Sequence, residues 1–234
     1  MKEVIAMHGW SSDSKSWFSW EESFLTNGWV WTSAERGYTS TTAIEPCWSK
    51  YSKTRVVICH SLGIHLIDKS VLSKATHIVL INCFGRFIPI AGRERRSLQI
   101  GLKGMQKALE TENKNEMLEL FWEKANSPNL MQNFKPQVLY KKLSMKGEEK
   151  LKTDLELLIN TEKLPCDINR NARALVIDGE KDKIVIGSVK HQLFEELSSK
   201  LNVKPKHWVL PNQGHLILMQ EIINNTRLWL EALK

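Results

Sequence analysis

Short apolar segments rich in β-branched residues alternate along the chain with longer segments of helical spacing. Six apolar segments bounded by turn-forming residues have the character of buried parallel strands, and they are residues 3–7, 29–33, 55–59, 77–82, 172–178 and 206–210. Four intervening segments place apolar residues three or four positions apart, as amphipathic helices do, and they are residues 13–26, 62–73, 187–201 and 217–233. The alternation predicts an α/β domain of about six mainly parallel strands, joined by right-handed crossovers and flanked by helices.

The segment 86–164 interrupts this alternation. It contains amphipathic stretches such as SLQIGLKGMQKALE (97–110) and EMLELFWEKA (116–125) but no convincing strand. Because a structureless loop of that length is implausible in a compact domain, we predict a helical insertion. An insertion that follows the carboxyl end of a strand lies where open α/β sheets bind ligands. We therefore predict a helical lid at 86–164 over a core domain formed by residues 1–85 and 165–234.

The composition is that of one globular domain, since 234 residues of which 42% are hydrophobic can bury one substantial core. No apolar run is long enough to span a membrane, and the N-terminus MKEVIAMHGW lacks the pattern of a signal peptide. We expect a soluble, cytoplasmic monomer with no membrane partner. Cys47, Cys59, Cys83 and Cys166 lack metal-ligand spacing, so they indicate reduced thiols, and we expect no metal or other cofactor.

Positive charge is concentrated in one part of the chain. The formal net charge is +7, which allows an acidic partner. Six basic residues stand against the single acidic Glu94 between positions 86 and 107, and they are Arg86, Arg93, Arg95, Arg96, Lys103 and Lys107. Such a patch is either a solvated helix face or a docking surface. No basic–aromatic groove or nucleic-acid motif is present, so we expect no nucleic-acid partner.

The stretch VVICHSLGIHL (56–66) predicts a strand, a tight turn and a helix around Ser61. A nucleophilic serine uses this arrangement because the sharp turn lifts its Oγ above the sheet and directs the amides of the new helix at the reaction centre. Gly63 lets the strand and the helix approach closely, whereas Cys59 stands where the G-x-S-x-G motif has its first glycine. The local pattern alone leaves two interpretations of Ser61, a nucleophile and a helix N-cap.

A second strand–turn–helix pattern occurs at VIAMHGWSSDSKSW (4–17). The residue after His-Gly, Trp10, can turn its backbone N–H toward a developing oxyanion, and the amide of Leu62 would be the second donor. We interpret His8 as a structural histidine that secures this loop, because it belongs to the loop motif and precedes the serine.

An acid and a base follow two later strands. Asp182 lies beyond the strand in ALVIDGEKDKIV (174–185), and His215 follows the strand that ends at LPNQGHLILM (210–219). An aspartate in a turn or a lone Gly-His is weak evidence by itself. The chain order Ser61, Asp182, His215 is, however, the order of the hydrolases with a nucleophile elbow. We predict a Ser-His-Asp hydrolase, with Asp178 as the competing choice for the acid.

The motifs HGW, HSLG, GEKD and QGH resemble those of α/β-hydrolase-fold esterases along essentially the whole chain. More narrowly, MHGWSSDSKSW, the Ser-Leu-Gly elbow and residues 155–185 are similar to the pimeloyl-acyl-carrier-protein methyl ester esterases of biotin synthesis. The resemblance implies the α/β-hydrolase fold and removal of a methyl ester from a pimeloyl chain that is tethered to an acidic acyl carrier protein. It also implies that arginines of the lid hold this carrier, and the corresponding residues are Arg86, Arg93, Arg95 and Arg96.

The sequence also departs from that family. Cys59 replaces the first elbow glycine, Ile64 stands where many members have a second glycine after the serine, and residues 29–42 keep only Gly37-Tyr38 of the usual pattern. Because the sequence given starts at the predicted oxyanion-loop strand, we expect the first hairpin of larger relatives to be absent. These differences bear on the substrate and leave the predicted fold and triad unchanged.

The predicted reaction is acyl transfer through a covalent intermediate. His215 would take the proton of Ser61 as it attacks an ester carbonyl, Asp182 would orient the imidazolium, and the amides of Trp10 and Leu62 would hold the oxyanion. Four aromatic side chains are candidates either for an apolar acyl channel or for core packing, and they are Trp10, Phe84, Phe87 and Phe121.

Two alternatives stay open from the sequence. A general carboxylesterase for small free esters would need the elbow but not the basic lid. A catalytically silent hydrolase-like module could bind an acidic partner through its positive surface, although the complete set of triad residues argues against it.

Overall fold

A computed structural model of the chain describes residues 1–39, 42–128 and 134–232. Its six strands form one parallel sheet in the order β2-β1-β3-β4-β5-β6. The strands are β1 (Lys2–Met7), β2 (Val30–Ala34), β3 (Thr54–His60), β4 (His77–Ile81), β5 (Arg173–Gly179) and β6 (Lys206–Leu210). All six predicted strands are confirmed, each to within one residue at either end.

Helices connect the strands. The α-helices are α1 (Phe18–Leu25), α2 (Gly63–Leu66), α3 (Lys69–Lys74), α4 (Arg93–Ala108), α5 (Lys114–Asn126), α6 (Met145–Asn160), α7 (Gly187–Lys200) and α8 (Gln220–Ala232). Short 3-10 helices cover Ser14–Trp17 and Gln137–Leu139. Among the residues that the structure describes, none of the helices combines the length and the apolar character that crossing a bilayer demands.

The predicted helix 62–73 is wrong as a single element. The chain becomes extended at Ile67, and Asp68 begins α3 by accepting a hydrogen bond from the amide of Ser70 at 2.7 Å. The helical spacing of apolar residues continues across this break, but the aspartate side chain is a strong N-cap and starts a new helix. The predicted last helix begins at Gln220 instead of 217, and its predicted end at 233 lies outside the described residues.

Alternating side chains of the strands form two apolar layers, one on each face of the sheet. One layer packs against α1 and α8, and its strand residues include Val4, Val56, Val79 and Leu175. The other packs against α2, α3 and α7, and its strand residues include Ile5, Val57, Ile78 and Val176. Because both faces are covered, the strands are continuously apolar, as is typical of parallel sheets.

The helices α4, α5 and α6 all lie between β4 and β5 in sequence. Their buried residues form a third apolar cluster, which also contains Trp10, Leu62 and Phe84 from the segments that follow β1, β3 and β4. These helices therefore cover the carboxyl edge of the sheet. The division into a core and a lid at 85/86 and 164/165 stays a prediction, and residues 129–133 of the predicted lid lie outside the described residues.

Candidate active site

Ser61 occupies the turn between β3 and α2 in a strained backbone conformation. Its φ of 55° lies in the left-handed region, which residues other than glycine seldom adopt. Its amide donates to the carbonyl of Ile81 on β4 at 3.0 Å, which fixes the turn to the sheet. The residue is only 5% exposed, and within the described residues its hydroxyl has no hydrogen-bond partner. A buried, unbonded hydroxyl on a strained turn is the arrangement of a nucleophile elbow.

Two glycines let the backbone close around this turn. A Cβ on Gly63 would lie 2.4 Å from the carbonyl oxygen of Met7, and a Cβ on Gly9 would lie 2.9 Å from the Cβ of Ser61. The loop after β1 therefore passes directly beside Ser61. Cys59 is accommodated because it lies fully buried in the apolar layer of β3, beside Met7 and Leu80 of the neighbouring strands. Burial raises the pKa of its thiol well above the usual value, so the thiol stays protonated.

Asp182 and His215 form a buried hydrogen-bonded pair. The Nδ1 of His215 lies 3.0 Å from the Oδ2 of Asp182, and the two side chains are 2% and 1% exposed. A carboxylate can only accept, so Nδ1 carries the proton and Nε2 of the neutral ring is left as an acceptor. Asp178, the competing acid, instead lies 2.8 Å from His207 Nε2. The structure thus brings His215 together with Asp182 and not with Asp178.

The Asp182 carboxylate is ionised despite its burial. Burial acts to raise its pKa, but the contacts with His215 and Lys190 and the amide of Ile184 outweigh burial and lower the pKa well below the usual value. Its Oδ1 accepts from the amides of Ile184 at 2.7 Å and Val185 at 3.1 Å. These bonds fix the orientation of the carboxylate toward His215.

Lys190 on α7 is a charged group of this site that the sequence interpretation missed. Its Nζ lies 3.0 Å from Asp182 Oδ2 and donates to the side-chain oxygen of Asn82 at 2.9 Å and to the carbonyl of Gly179 at 2.8 Å. The side-chain nitrogen of Asn82 in turn donates to the carbonyl of His215 at 2.7 Å. Lys190 therefore contacts the acid of the pair directly and its base through one intermediate residue.

His60, which precedes Ser61, is a second missed residue. Its ring lies 4.6 Å from that of His215, and its Nε2 donates to the carbonyl of His215 at 3.0 Å. Burial and the neighbouring His215 lower its pKa to about 3, so it is neutral at physiological pH. His60 and Asn82 both hold the backbone of His215 in place.

The loop that follows β1 is bound to the covering helices. Three side-chain hydrogen bonds join its residues to them: Trp10 Nε1 to the carbonyl of Leu151 (2.8 Å), Trp122 Nε1 to Ser11 Oγ (2.9 Å), and the amide of Gln137 to Asp13 Oδ2 (2.6 Å). His8 is completely buried, with one ring nitrogen 2.9 Å from the carbonyl of Gly9. Its position beside the loop agrees with a structural role.

A cavity of about 520 Å³ adjoins Ser61 under α4 and α5. Trp10, Phe87 and Phe121 are among its lining residues. Phe84 is completely buried, packs against Phe87 with ring centroids 4.9 Å apart, and is not part of the cavity wall. Of the four aromatic candidates, the structure therefore places three at the cavity and one in the packing behind it. Across residues 1–39, 42–128 and 134–232, no three His, Cys, Asp or Glu side chains are grouped so as to hold a metal ion.

The four arginines proposed to hold a carrier differ in their surroundings. Arg86 lies 3.9 Å from Glu162, and Arg95 donates to the carbonyls of Pro89 and Ile90. Arg93 and Arg96 are exposed on α4, and in the described part of the chain neither takes part in an ion pair. Of the four, these two have neither an ion pair nor a side-chain hydrogen bond among the described residues.

Comparison with known proteins identifies the fold. No model of a protein family and no curated protein matches the chain. An esterase from Exiguobacterium antarcticum is similar in structure, with a TM-score of 0.69 at 13% identity over 99% of this chain and 92% of that one. A bromoperoxidase from Bacillus anthracis has a TM-score of 0.72 at 12% identity, again over 99% of this chain and 92% of that one.

A bottromycin epimerase in complex with bottromycin A2 is similar as well, with a TM-score of 0.64 at 12% identity over 100% of this chain and 91% of that one. The chain has the α/β-hydrolase fold, as predicted. Because an esterase, a bromoperoxidase and an epimerase are all similar in structure to this chain, the fold does not establish the activity.

Proposed function

We propose that the protein is a serine esterase that hydrolyses a carboxylic ester through Ser61, His215 and Asp182. The observation that carries this proposal is the buried His215–Asp182 pair, whose histidine lines a small pocket together with the unbonded Ser61. The esterases among the similar structures support the same class of reaction.

The proposed reaction assigns one role to each of these groups. Nε2 of His215 accepts the proton of Ser61 as its Oγ attacks the ester carbonyl, and Asp182 stabilises the imidazolium that forms. The amides of Trp10 and Leu62 hold the oxyanion, since Gly9 brings the loop after β1 against Ser61 and Leu62 immediately precedes α2. The alcohol leaves with the proton from His215, and water activated by the same ring then releases the acid.

Replacing Ser61 with Ala tests the proposal. The change removes the attacking oxygen and little volume, so kcat should fall on the order of 10⁴-fold or more while the protein stays folded. A fluorophosphonate should add covalently to the wild-type protein, with the adduct on Ser61 in a peptide digest. The matched control is Ser23→Ala, a buried serine on α1 that contacts Asn224 of α8 and should keep its activity. Near-native turnover by the Ser61→Ala protein, or labelling of another residue, would contradict the assignment of Ser61. A wild-type protein that neither reacts with the fluorophosphonate nor turns over esters would favour the catalytically silent module.

For the substrate, we propose the methyl ester of a pimeloyl chain on acyl carrier protein, as in biotin biosynthesis. The resemblance of residues 155–185 and of the elbow supports this choice. Basic side chains on one side of α4 offer an acidic carrier a docking surface: Arg93, Arg96, Lys103 and Lys107 recur at helical spacing, and all are exposed.

Reversing charge on this surface tests the carrier. Arg93→Glu with Arg96→Glu should slow turnover of a carrier-linked methyl ester at least tenfold and leave p-nitrophenyl acetate within twofold, because these charges act on docking and not on the bond that breaks. Added salt should reproduce the loss for the carrier substrate alone. The control is the same change in charge at Arg170 and Arg173, which are exposed at the opposite end of β5.

A general carboxylesterase for free esters is the second candidate. Two of the four arginines favour it, because their contacts lie within the chain and need no partner protein. Arg86 contacts Glu162, and Arg95 donates to the carbonyls of Pro89 and Ile90. If the charge reversals affect both substrates equally, the basic surface of α4 does not select a carrier and this second candidate is the correct one.

A further inference from the structure

One side of α4 carries a stripe of small residues. Ser97, Gly101, Gly104 and Ala108 recur at intervals of three and four positions, so they share one face of the helix. All four line the cavity that adjoins Ser61. The stripe covers about three helical turns, or roughly 16 Å.

The two glycines of the stripe are not required by the backbone or by close packing. Glycine destabilises the interior of a helix relative to alanine, yet neither Gly101 nor Gly104 has a positive φ. A Cβ built on either residue would meet no atom within 4 Å. Both glycines are exposed at the cavity wall, so the missing side chains leave this side of the cavity wide and open to solvent.

The remaining walls of this space are mainly apolar and reach the proposed nucleophile, and their polar members are Asn113, Glu116, Lys124 and Lys183. Met117 and Phe121 of α5 line the cavity together with Leu155 and Leu158 of α6. Ser61 lines it as well, and its hydroxyl is the independent sign of a ligand, because the residue is 95% buried and its hydroxyl has no partner in the described part of the chain.

We propose that the groove between α4 and α5 binds the apolar chain of the acyl group, and that the small-residue stripe sets the length and width of the chain that the enzyme accepts. The chain lies against the backbone of α4 at Gly101 and Gly104, where any larger side chain would occupy its place. This inference rests on the proposed esterase function and adds the residues that set its preference for esters with an extended apolar acyl chain.

Filling the groove tests the inference. Gly101→Leu and Gly104→Leu each place an apolar side chain in the cavity, and leucine is a stronger helix former than glycine, so the melting temperature should not fall. We expect kcat/KM for p-nitrophenyl octanoate to decrease at least tenfold and that for p-nitrophenyl acetate to stay within twofold. The control is Gln99→Leu, a similar substitution on α4 at a residue that does not line the cavity. An unchanged octanoate rate, or an equal loss for both esters, would overturn the role of the stripe.

A binding measurement separates this inference from the proposed function. In the Ser61→Ala background, which keeps the cavity, calorimetric titration with p-nitrophenyl octanoate should show binding that Gly104→Leu weakens at least tenfold. If the wild-type protein hydrolyses neither ester, the proposed function fails while the titration still decides the binding site. If the Ser61→Ala protein binds the octanoate ester no better than its Gly104→Leu derivative, the inference fails even where the wild type is an esterase.

Discussion

Replacing Lys190 with Met should lower the stability of the protein by an amount that depends on pH. The buried ammonium group of this residue lies 3.0 Å from Asp182 and donates to Asn82 and to the carbonyl of Gly179. Methionine has nearly the same length and fills the same space without the charge. The substitution therefore removes three polar contacts and creates little empty volume.

The loss of stability follows from burial. Removing one member of a buried ion pair typically costs about 3–5 kcal/mol. Asp182 keeps His215 and the amides of Ile184 and Val185, so we expect the lower end, about 3 kcal/mol, or a melting temperature lower by roughly 6–12 °C for a chain of this size.

The loss also depends on pH, and the sign of this dependence is definite. Lys190 is one of the groups that hold the pKa of the Asp182 carboxyl below its usual value, so this pKa should rise in the variant. A carboxyl with a depressed pKa in the folded protein stabilises the fold above the pKa of the unfolded chain, about 3.9, and this contribution is lost as the pH falls further. The variant has less of this contribution to lose, so its difference in stability from the wild type should be full at pH 7 and should narrow below about pH 4.

The assay is thermal unfolding recorded from pH 7 to pH 3. Lys200→Met is the matched control, since Lys200 ends the same helix and donates to the carbonyl of Pro165, away from Asp182. The melting temperature of the control should follow that of the wild type at every pH. A difference between Lys190→Met and the wild type that stays constant or widens below pH 4 would refute the electrostatic reasoning, whatever its size at pH 7.

Two further predictions concern Asp182 and the buried histidine His65. Asp182→Asn should lower kcat on the order of 10³- to 10⁴-fold through loss of the orienting charge, whereas Asp178→Asn should leave kcat nearly unchanged, and the reverse ranking would show that the wrong acid has been assigned. Burial lowers the pKa of His65 to about 4, so the folded protein excludes a proton that the unfolded chain binds below about pH 6.5. Its contribution to stability is present at neutral pH and is lost as the pH falls from 6.5 toward 4, by about 2 kcal/mol at pH 4.5. The melting temperature of His65→Gln should therefore depend less on pH between 7 and 4.5 than that of the wild type, whereas the exposed His191→Gln should behave like the wild type. Equal slopes of melting temperature against pH for the two variants would contradict the argument.

The fold was predictable because its signals are local. Each strand is an apolar run that ends at a turn-forming residue, and runs of this kind leave little choice but a buried parallel sheet. Three predicted site residues, Ser61, Asp182 and His215, lie in the segments that follow β3, β5 and β6. The carboxyl ends of parallel strands meet at one edge of the sheet. Their proximity therefore followed from the strand assignment, although their catalytic roles stay a prediction.

Lys190 could not be assigned in the same way, because a lysine in an amphipathic helix is ordinarily solvated. One signal was nevertheless present. Lys190 stands three residues before Leu193 and seven before Leu197, on the face that α7 buries. A lysine on an apolar face must have a buried partner, and the partner here, Asp182, lies in the preceding loop. The break at Asp68 was missed because the apolar spacing of a helix continues across it, although the Asp68 side chain caps a new helix there.

The contacts between the loop after β1 and the covering helices had no sequence signal at all. The bonds from Trp10 to Leu151 and from Trp122 to Ser11 join residues 141 and 111 positions apart. Only the folded chain brings such pairs together, and no periodicity reports them. Their consequence is mechanistic, because the residue whose indole is held by α6 is the same residue whose amide is proposed to bind the oxyanion. The covering helices therefore help to position the oxyanion loop as well as to enclose the acyl chain, and a substitution in α6 that displaces the Leu151 carbonyl should lower kcat for small and large esters alike.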